Sequence, residues 1–201
     1  MTKSSRLSKN IFSANAEELV KDLASGSARF RHEADAILSK FQIPIVTEDA
    51  NGTVETILSR FHLVVREIQE RHENRPTLVI GDEYDVQDLL HGLLTIYFDD
   101  VRTEQWTPEL AGYSTRIDFL LKKESIAIEA KKTRKGLGKK EIGNQLIIDI
   151  AHYQKHPDCN VLFCFVYDPE ERISNPVGFE NDLTGKQGKL FVKVLVVPKR
   201  A

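Results

Sequence analysis

The chain has 201 residues and a formal net charge of −2, with 41% hydrophobic and 29% charged residues. This length suits one domain with an appendage, and the balanced charge gives no argument for nucleic-acid binding by the bulk of the protein. No apolar run approaches the roughly 18 residues of a membrane span, and the N-terminal residues lack the apolar core of a signal peptide.

The N-terminal third of the chain predicts a tail and two amphipathic helices. Residues 1–13 are polar and basic and indicate a flexible tail, and residues 14–74 form a helical region. Its second helix, from Thr53 to about Glu70, carries the broader apolar stripe. The stripe consists of Val54, Ile57, Leu58, Phe61, Val64, Val65 and Ile68. These helices are either an intramolecular cap or an arm for dimerisation or recruitment.

A domain boundary is expected near Asn74, and the sheet domain then occupies residues 75–201. Asp82 is a suitable N-cap for a helix that runs from about Glu83 to Tyr97. Glu83 and Gln87 are four residues apart and therefore share one line of this helix. Acidic residues in a first turn also suit the helix dipole, so Glu83 is open to a structural or an active-site role.

The next segments predict a strand over Val101–Trp106 and a hairpin over residues 116–131. If the hairpin turns at Lys123-Glu124, Asp118 lies opposite Glu129. Lys131 shares a face with Glu129, because residues i and i+2 of a strand point the same way. Two carboxylates this close repel each other unless a divalent cation lies between them. The hairpin therefore predicts a Mg²⁺ site suited to phosphodiester cleavage.

A basic run leaves this hairpin directly. It consists of Lys132, Arg134, Lys135, Lys139 and Lys140. Arg116 lies two residues before Asp118, on the same face of its strand. Such a run is either a solvated loop or a set of contacts to nucleic-acid phosphates.

The last third of the chain predicts a long helix over residues 139–154, a central apolar strand over 160–167, a helical turn within 176–184 and a final strand over 189–197. Gln145, Asp149 and His152 share one line of the long helix, and Tyr153 lies on its apolar face with Ile142, Leu146 and Ile150. Cys159 and Cys164 fall in or beside the apolar strand and are expected to be buried thiols. Cysteines used in this way favour a reducing, cytoplasmic compartment.

Asp118 followed eleven residues later by Glu129-Ala130-Lys131 resembles the motif of the PD-(D/E)XK nuclease superfamily. The order of elements from residue 82 onward is similar to that of this family, and the resemblance covers residues 78–198. It implies an α/β fold with a mixed sheet, a restriction-endonuclease-like core with helices on both faces, preceded here by the N-terminal helical segment. The surrounding residues also resemble nuclease domains of bacterial defence proteins.

The resemblance implies a metal-dependent phosphodiesterase. Asp118 and Glu129 would bind Mg²⁺ or Mn²⁺ with the carbonyl oxygen of Ala130, and Glu83 and Gln145 would complete the site. Lys131 would orient or deprotonate the attacking water, aided by a lowered pKa. The substrate is nucleic acid, with DNA favoured, and members that cut both strands often act as dimers, so a homodimer involving residues 14–70 is expected. The alternative is an inactive nuclease-like module that only binds nucleic acid or a partner protein.

Overall fold

A computed structural model of the chain describes residues 49–109 and 114–199. The tail and the first N-terminal helix of the sequence analysis lie outside these residues. From Ala50 onward the chain clusters as one compact unit. None of the described helices combines the length and the apolar character needed to cross a bilayer.

The described residues form four α-helices and one six-stranded sheet with the strand order β1-β2-β3-β4-β6-β5. The helices are α1 Ala50–Gln69, α2 Glu83–Leu94, α3 Lys139–Tyr153 and α4 Pro176–Leu183. The strands are β1 Val101–Trp106, β2 Arg116–Leu121, β3 Ile126–Lys132, β4 Val161–Tyr167, β5 Gly185–Gln187 and β6 Leu190–Val197. A short 3-10 turn, His72–Asn74, follows α1.

The sheet is mixed, as the sequence predicted. β1, β2 and β3 form an antiparallel meander, β3, β4 and β6 are parallel, and β5 is antiparallel to β6. Helix α3 makes the crossover between the parallel strands β3 and β4, which a tight turn cannot join. β3 and β4 are buried on both faces, and this accounts for their nearly continuous apolar sequences.

Helices cover both faces of the sheet. α1 and α2 pack on one face, and α3 and α4 pack on the other. In α1 the buried residues are Val54, Ile57, Leu58, Phe61 and Val65. The Phe61 ring contacts the rings of Phe165 and Tyr167 edge-on, with centroids 5.1 and 5.2 Å apart. Helix α1 therefore serves as the intramolecular cap, one of the two alternatives for its stripe.

The position of α1 differs from the sequence-based domain division. That division placed this helix in a separate N-terminal region ending near Asn74, whereas α1 shares a hydrophobic core with the sheet. An ion pair between Lys193 Nζ and Glu55 Oε2, 2.6 Å long, adds a polar contact between α1 and β6. An amphipathic stripe indicates that a helix is covered but does not identify the surface that covers it.

The β2–β3 hairpin has the expected register. Phe119 pairs with Ile128 and Leu120 with Ala127, and the turn occupies residues 122–125. The recorded pairing between these strands ends at Phe119–Ile128, one position before Asp118 and Glu129. Beyond it β2 continues beside β1 and β3 continues beside β4. The sheet therefore splits between β2 and β3, and the split opens where the predicted site lies.

Two further elements differ from the sequence analysis. Helix α2 ends at Leu94 rather than Tyr97, with Thr95 as its C-cap, whose hydroxyl donates to the Gly92 carbonyl at 2.9 Å. β5 was not expected; it pairs with β6 through a turn in which Gly188 has a φ of 64°. Glycine adopts this left-handed conformation without a steric cost. Cys159 and Cys164 are free and buried, as predicted.

Candidate active site

The split between β2 and β3 gathers side chains from three elements. The Asp118 carboxylate turns toward β3, where its Oδ2 accepts a hydrogen bond from the Ala130 amide at 2.8 Å. Gln87 of α2 also hydrogen-bonds to Asp118. Glu83, in the first turn of α2, accepts from the Lys132 amide at 3.3 Å. The N-terminus of α2 and the end of β3 are thereby joined across the opening.

Lys131 lies among carboxylates below this opening. Its Nζ contacts Glu129 Oε1, lies 3.4 Å from Asp149 Oδ2 and 3.8 Å from Glu83 Oε1. Only 9% of Lys131 and 3% of Glu129 are exposed to solvent. The other oxygen of Glu129, Oε2, accepts a hydrogen bond of 2.5 Å from the Tyr153 hydroxyl. Both carboxylate oxygens of Glu129 therefore have donors.

The carboxylates of Asp118 and Glu129 have too little positive charge nearby to favour their ionised forms. Burial raises the pKa of Asp118 to about 6, against a smaller lowering by the Ala130 amide and by Lys131. Burial and the nearby Asp118 charge raise the pKa of Glu129 well above its usual range. A group of acids that resists ionisation in this way is the electrostatic environment that a divalent cation relieves.

The pKa of Lys131 moves in the direction opposite to the one expected. Burial alone would lower it, but the charges of Glu129, Asp149 and Glu83 more than offset burial and raise the pKa above its ordinary value. The sequence predicted Asp118, Glu129 and Glu83 near this lysine but not Asp149, which adds to this effect. Lys131 is therefore an ammonium in this arrangement and acts as a hydrogen-bond donor.

A cavity of about 560 Å³ opens above these groups. Its lining includes Glu83 and Gln87 of α2, Asp118 of β2 and Gln145 of α3. Glu83 and Gln145, the two residues added to the site by resemblance, thus line the same cavity as Asp118. Glu129 and Lys131 are buried and are not part of this lining.

The basic residues fall into two groups. Arg134, Lys135, Lys139 and Lys140 are exposed. Lys132 is buried, with its Nζ 3.6 Å from Glu170 Oε1 and 3.4 Å from the Thr133 carbonyl oxygen. Its expected role as a phosphate contact stays a prediction, and it would require the Lys132 ammonium to leave Glu170.

Arg116 is held on the protein surface. Its guanidinium lies 2.5 Å from Glu104 Oε2 and 5.7 Å from the centre of the Trp106 ring. Both partners come from β1, the edge strand. A phosphate could bind Arg116 only in competition with Glu104.

The donor set of the site fits a hard divalent cation. Mg²⁺ is held in proteins by one or two carboxylates and keeps water at its remaining positions, and Asp118 with Glu129 supplies such a pair. Among the described residues no three Asp, Glu, His or Cys side chains are arranged to hold a metal together. A cation would therefore be held by two carboxylates, and its binding would require Lys131 to release its contact with Glu129 Oε1.

The comparison with protein families agrees with this geometry. Residues 52–199 match the family model DpnII-MboI, described as REase_DpnII-MboI. The chain belongs to the DpnII-MboI restriction endonuclease family. The matched region begins within α1 and includes the whole sheet, so the cap helix is part of the family domain. No curated protein and no solved structure gave a match.

Membership of the DpnII-MboI family makes the chain a restriction endonuclease, an enzyme that acts on DNA.

Two buried residues of its site were missed by the sequence analysis as functional candidates: Asp149 and Tyr153. Tyr153 was assigned to the apolar face of α3, since an aromatic ring at helical spacing indicates packing. The available signal was the line Gln145, Asp149 and Tyr153, at intervals of four residues.

Proposed function

We propose that the chain is a Mg²⁺-dependent endonuclease that hydrolyses phosphodiester bonds of DNA, with Mn²⁺ able to replace Mg²⁺. One observation carries this proposal: Asp118, Glu129 and Lys131 converge where β2 and β3 separate, below an open cavity. An inactive binding module would have no need to keep two acids and a lysine together in a buried place, where unpaired charge is costly.

Asp118 and Glu129 are the proposed ligands of the cation, with the Ala130 carbonyl oxygen as a third. A bound divalent cation would supply positive charge beside the phosphate and Lewis acidity toward the attacking water. Asp118 is already fixed by the Ala130 amide and Gln87. Glu129 is fixed by Tyr153.

Lys131 is the proposed residue that orients the attacking water or the scissile phosphate. Its raised pKa favours the role of a donor over that of a proton acceptor. Glu83 and Gln145 complete the wall of the cavity around Asp118. A side-chain amide such as Gln145 can both donate and accept, which suits contact with water and with phosphate.

The exposed cations near the cavity are the proposed contacts to the DNA backbone. Arg134 lines the cavity, and Lys135, Lys139 and Lys140 follow it in the chain. Arg116 would join them after exchanging Glu104 for a phosphate. Contacts of this kind set the position of DNA without reading its sequence.

We also propose the biological setting that the sequence suggested: a cytoplasmic enzyme of bacterial antiviral defence, acting as a homodimer. A restriction endonuclease family and a resemblance to defence-associated nucleases support the first part. The need for two sites to cut two strands supports the dimer. Five of the seven stripe residues of α1 are already buried within the chain, so a dimer contact would rely mainly on other surfaces.

The test is cleavage of supercoiled plasmid DNA with Mg²⁺, with Mn²⁺ and with a chelator, with RNA as a second substrate. Asp118→Asn is the matched inactive variant, since its amide oxygen can still accept from the Ala130 amide while its charge is gone. Cleavage of DNA by the wild-type protein alone, and only with metal, is expected. Equal cleavage by Asp118→Asn would contradict the proposal.

A further inference from the structure

Helix α3 presents a line of three polar side chains toward the end of β3. Gln145 lies in the cavity wall, and Asp149 and Tyr153 follow at successive intervals of four residues. Asp149 is 9% exposed and Tyr153 is fully buried. Polar groups in such places need partners, and both have their partners in the proposed catalytic set.

Within the described part of the chain, Glu129 is the one hydrogen-bond partner of the Tyr153 hydroxyl. It donates to Glu129 Oε2 at 2.5 Å, whereas Lys131 contacts Oε1. A phenol fixes the orientation of a carboxylate without neutralising its charge. Glu129 thus has one oxygen tied to a neutral donor of α3 and one oxygen that can exchange Lys131 for a cation.

Asp149 provides Lys131 with a second anionic partner. Its Oδ2 lies 3.4 Å from Lys131 Nζ. If a bound cation took the place of Lys131 at Glu129, Asp149 would keep the ammonium next to the site. Without this partner, Lys131 would have only the more distant Glu83 Oε1, at 3.8 Å, to hold it.

We propose that Asp149 and Tyr153 are positioning residues: Tyr153 orients Glu129 toward the cation, and Asp149 holds Lys131 beside it. This inference rests on the proposed function, because it assigns roles relative to a cation at Asp118 and Glu129. The two residues of α3 are therefore expected to have separate effects, Tyr153 on metal affinity and Asp149 on turnover.

The first test is Tyr153→Phe, which removes the hydroxyl and keeps the ring. Calorimetric titration with Mn²⁺ in the absence of DNA is expected to show an affinity lowered by about 10- to 100-fold, the usual effect of losing an outer-shell partner. Saturating Mn²⁺ is expected to restore much of the DNA cleavage. Tyr167→Phe is the matched control: it removes a hydroxyl bonded to His62 Nδ1 at 2.9 Å, on the opposite face of the sheet.

The second test is Asp149→Asn. Its expected effect is cleavage slowed by about 10- to 100-fold at saturating Mn²⁺, with the Mn²⁺ affinity of the wild-type protein retained. Because it does not depend on the stability of Tyr153→Phe, it tests the inference even if that variant fails to fold.

The outcomes separate the two proposals. Wild-type protein that binds no Mn²⁺ would overturn the proposed function and this inference with it. Wild-type binding together with unchanged affinity in Tyr153→Phe and unchanged turnover in Asp149→Asn would overturn this inference alone. An equal loss of affinity in Tyr167→Phe would also overturn it, because the effect would then be one of general stability.

Discussion

At the scale of single residues, the site is defined by an imbalance of charge. Glu83, Glu129 and Asp149 lie around one ammonium, that of Lys131, whose charge also acts on the nearby Asp118. Burial raises the pKa of Asp118 and of Glu129, and repulsion from the neighbouring carboxylates raises both further. Folding therefore holds together acids that are unfavourable without a cation, an arrangement more useful for binding than for stability.

Replacing Lys131 tests its role in the chemistry. Lys131→Ala should lower the cleavage rate by about 10² to 10³-fold, the range for removing one hydrogen-bond donor from the transition state, while DNA and Mn²⁺ still bind. Lys131→Arg should also fail, since the planar guanidinium cannot reproduce the compact ammonium in a buried site. Single-turnover cleavage at saturating metal measures both.

The control for this pair is Lys193→Ala, which removes the ion pair with Glu55 on the far side of the sheet. It should cleave like the wild-type protein. Wild-type cleavage rates in either Lys131 variant would show that the lysine is structural.

His156 makes the stability of the fold dependent on pH. It is buried, its Nδ1 accepts from the Asp158 amide at 3.2 Å, and burial lowers its pKa. A lowered folded-state pKa means that folding favours the neutral ring. The stabilisation is complete above the unfolded pKa of about 6.5 and is lost as the pH falls below it.

His156→Asn should flatten this dependence, because the Asn oxygen can accept from the same amide and does not titrate. Urea unfolding at several values between pH 7 and pH 5 should show a smaller loss of stability than in the wild-type protein. His62, whose pKa is also lowered by burial, and the active-site acids titrate in both proteins and cancel in the difference. Parallel losses in the two proteins would contradict the prediction.

At the scale of elements, the sequence predicted the features that neighbouring residues determine and missed those that distant residues determine. The β2–β3 register followed from one turn between two short apolar runs, and the structure has it. The split between these strands did not follow, since it arises from β1 holding β2 and β4 holding β3. The three residues of β5 carry no pattern that the sequence could reveal. Tyr153 was mistaken for packing because its ring is apolar and only its hydroxyl reaches Glu129.

The basic run is a tight turn followed by a helix rather than an open loop. Arg134 and Leu137 form an isolated β-bridge, and Gly136 has a φ of 83°. Lys139 and Lys140 occupy the first turn of α3. Cations are unfavourable at a helix N-terminus by about 0.3 to 1 kcal/mol, so a bound phosphate would improve their environment.

Neutralising Arg134, Lys135, Lys139 and Lys140 should therefore weaken DNA binding and reduce its dependence on salt. Each lost phosphate contact should reduce the slope of log K against log salt by about 0.9 for duplex DNA. Fluorescence anisotropy over a range of salt concentrations, in the presence of Ca²⁺ to prevent cleavage, measures the slope.

Lys155 and Lys186 provide the control, because both are exposed and lie at the far end of α3 and in the opposite edge strand. Replacing these two by Ala should leave the slope unchanged. An unchanged slope in the fourfold variant would mean that the basic run is only a solvated surface.

At the scale of the whole molecule, the packing of α1 changes which residues are expected to make a dimer contact. Five of its seven stripe residues belong to the core shared with the sheet, so the intramolecular role accounts for most of the stripe. A homodimer remains our prediction, with residues 14–48 or another surface making the contact. Light scattering should give the mass of a dimer for the full chain and weaker association for a chain that begins at Asp49. A full-length protein that stays monomeric at tens of micromolar would remove the dimer.

The separated ends of β2 and β3 form the proposed site for a divalent cation. Calorimetric titration of the metal-free protein with Mn²⁺, beside Asp118→Asn, tests it most directly. We predict saturable binding by the wild-type protein and a large loss of affinity in the variant, which keeps an acceptor for the Ala130 amide but lacks the charge. Absence of binding by the wild-type protein up to millimolar Mn²⁺, or equal binding by the two proteins, would contradict the account.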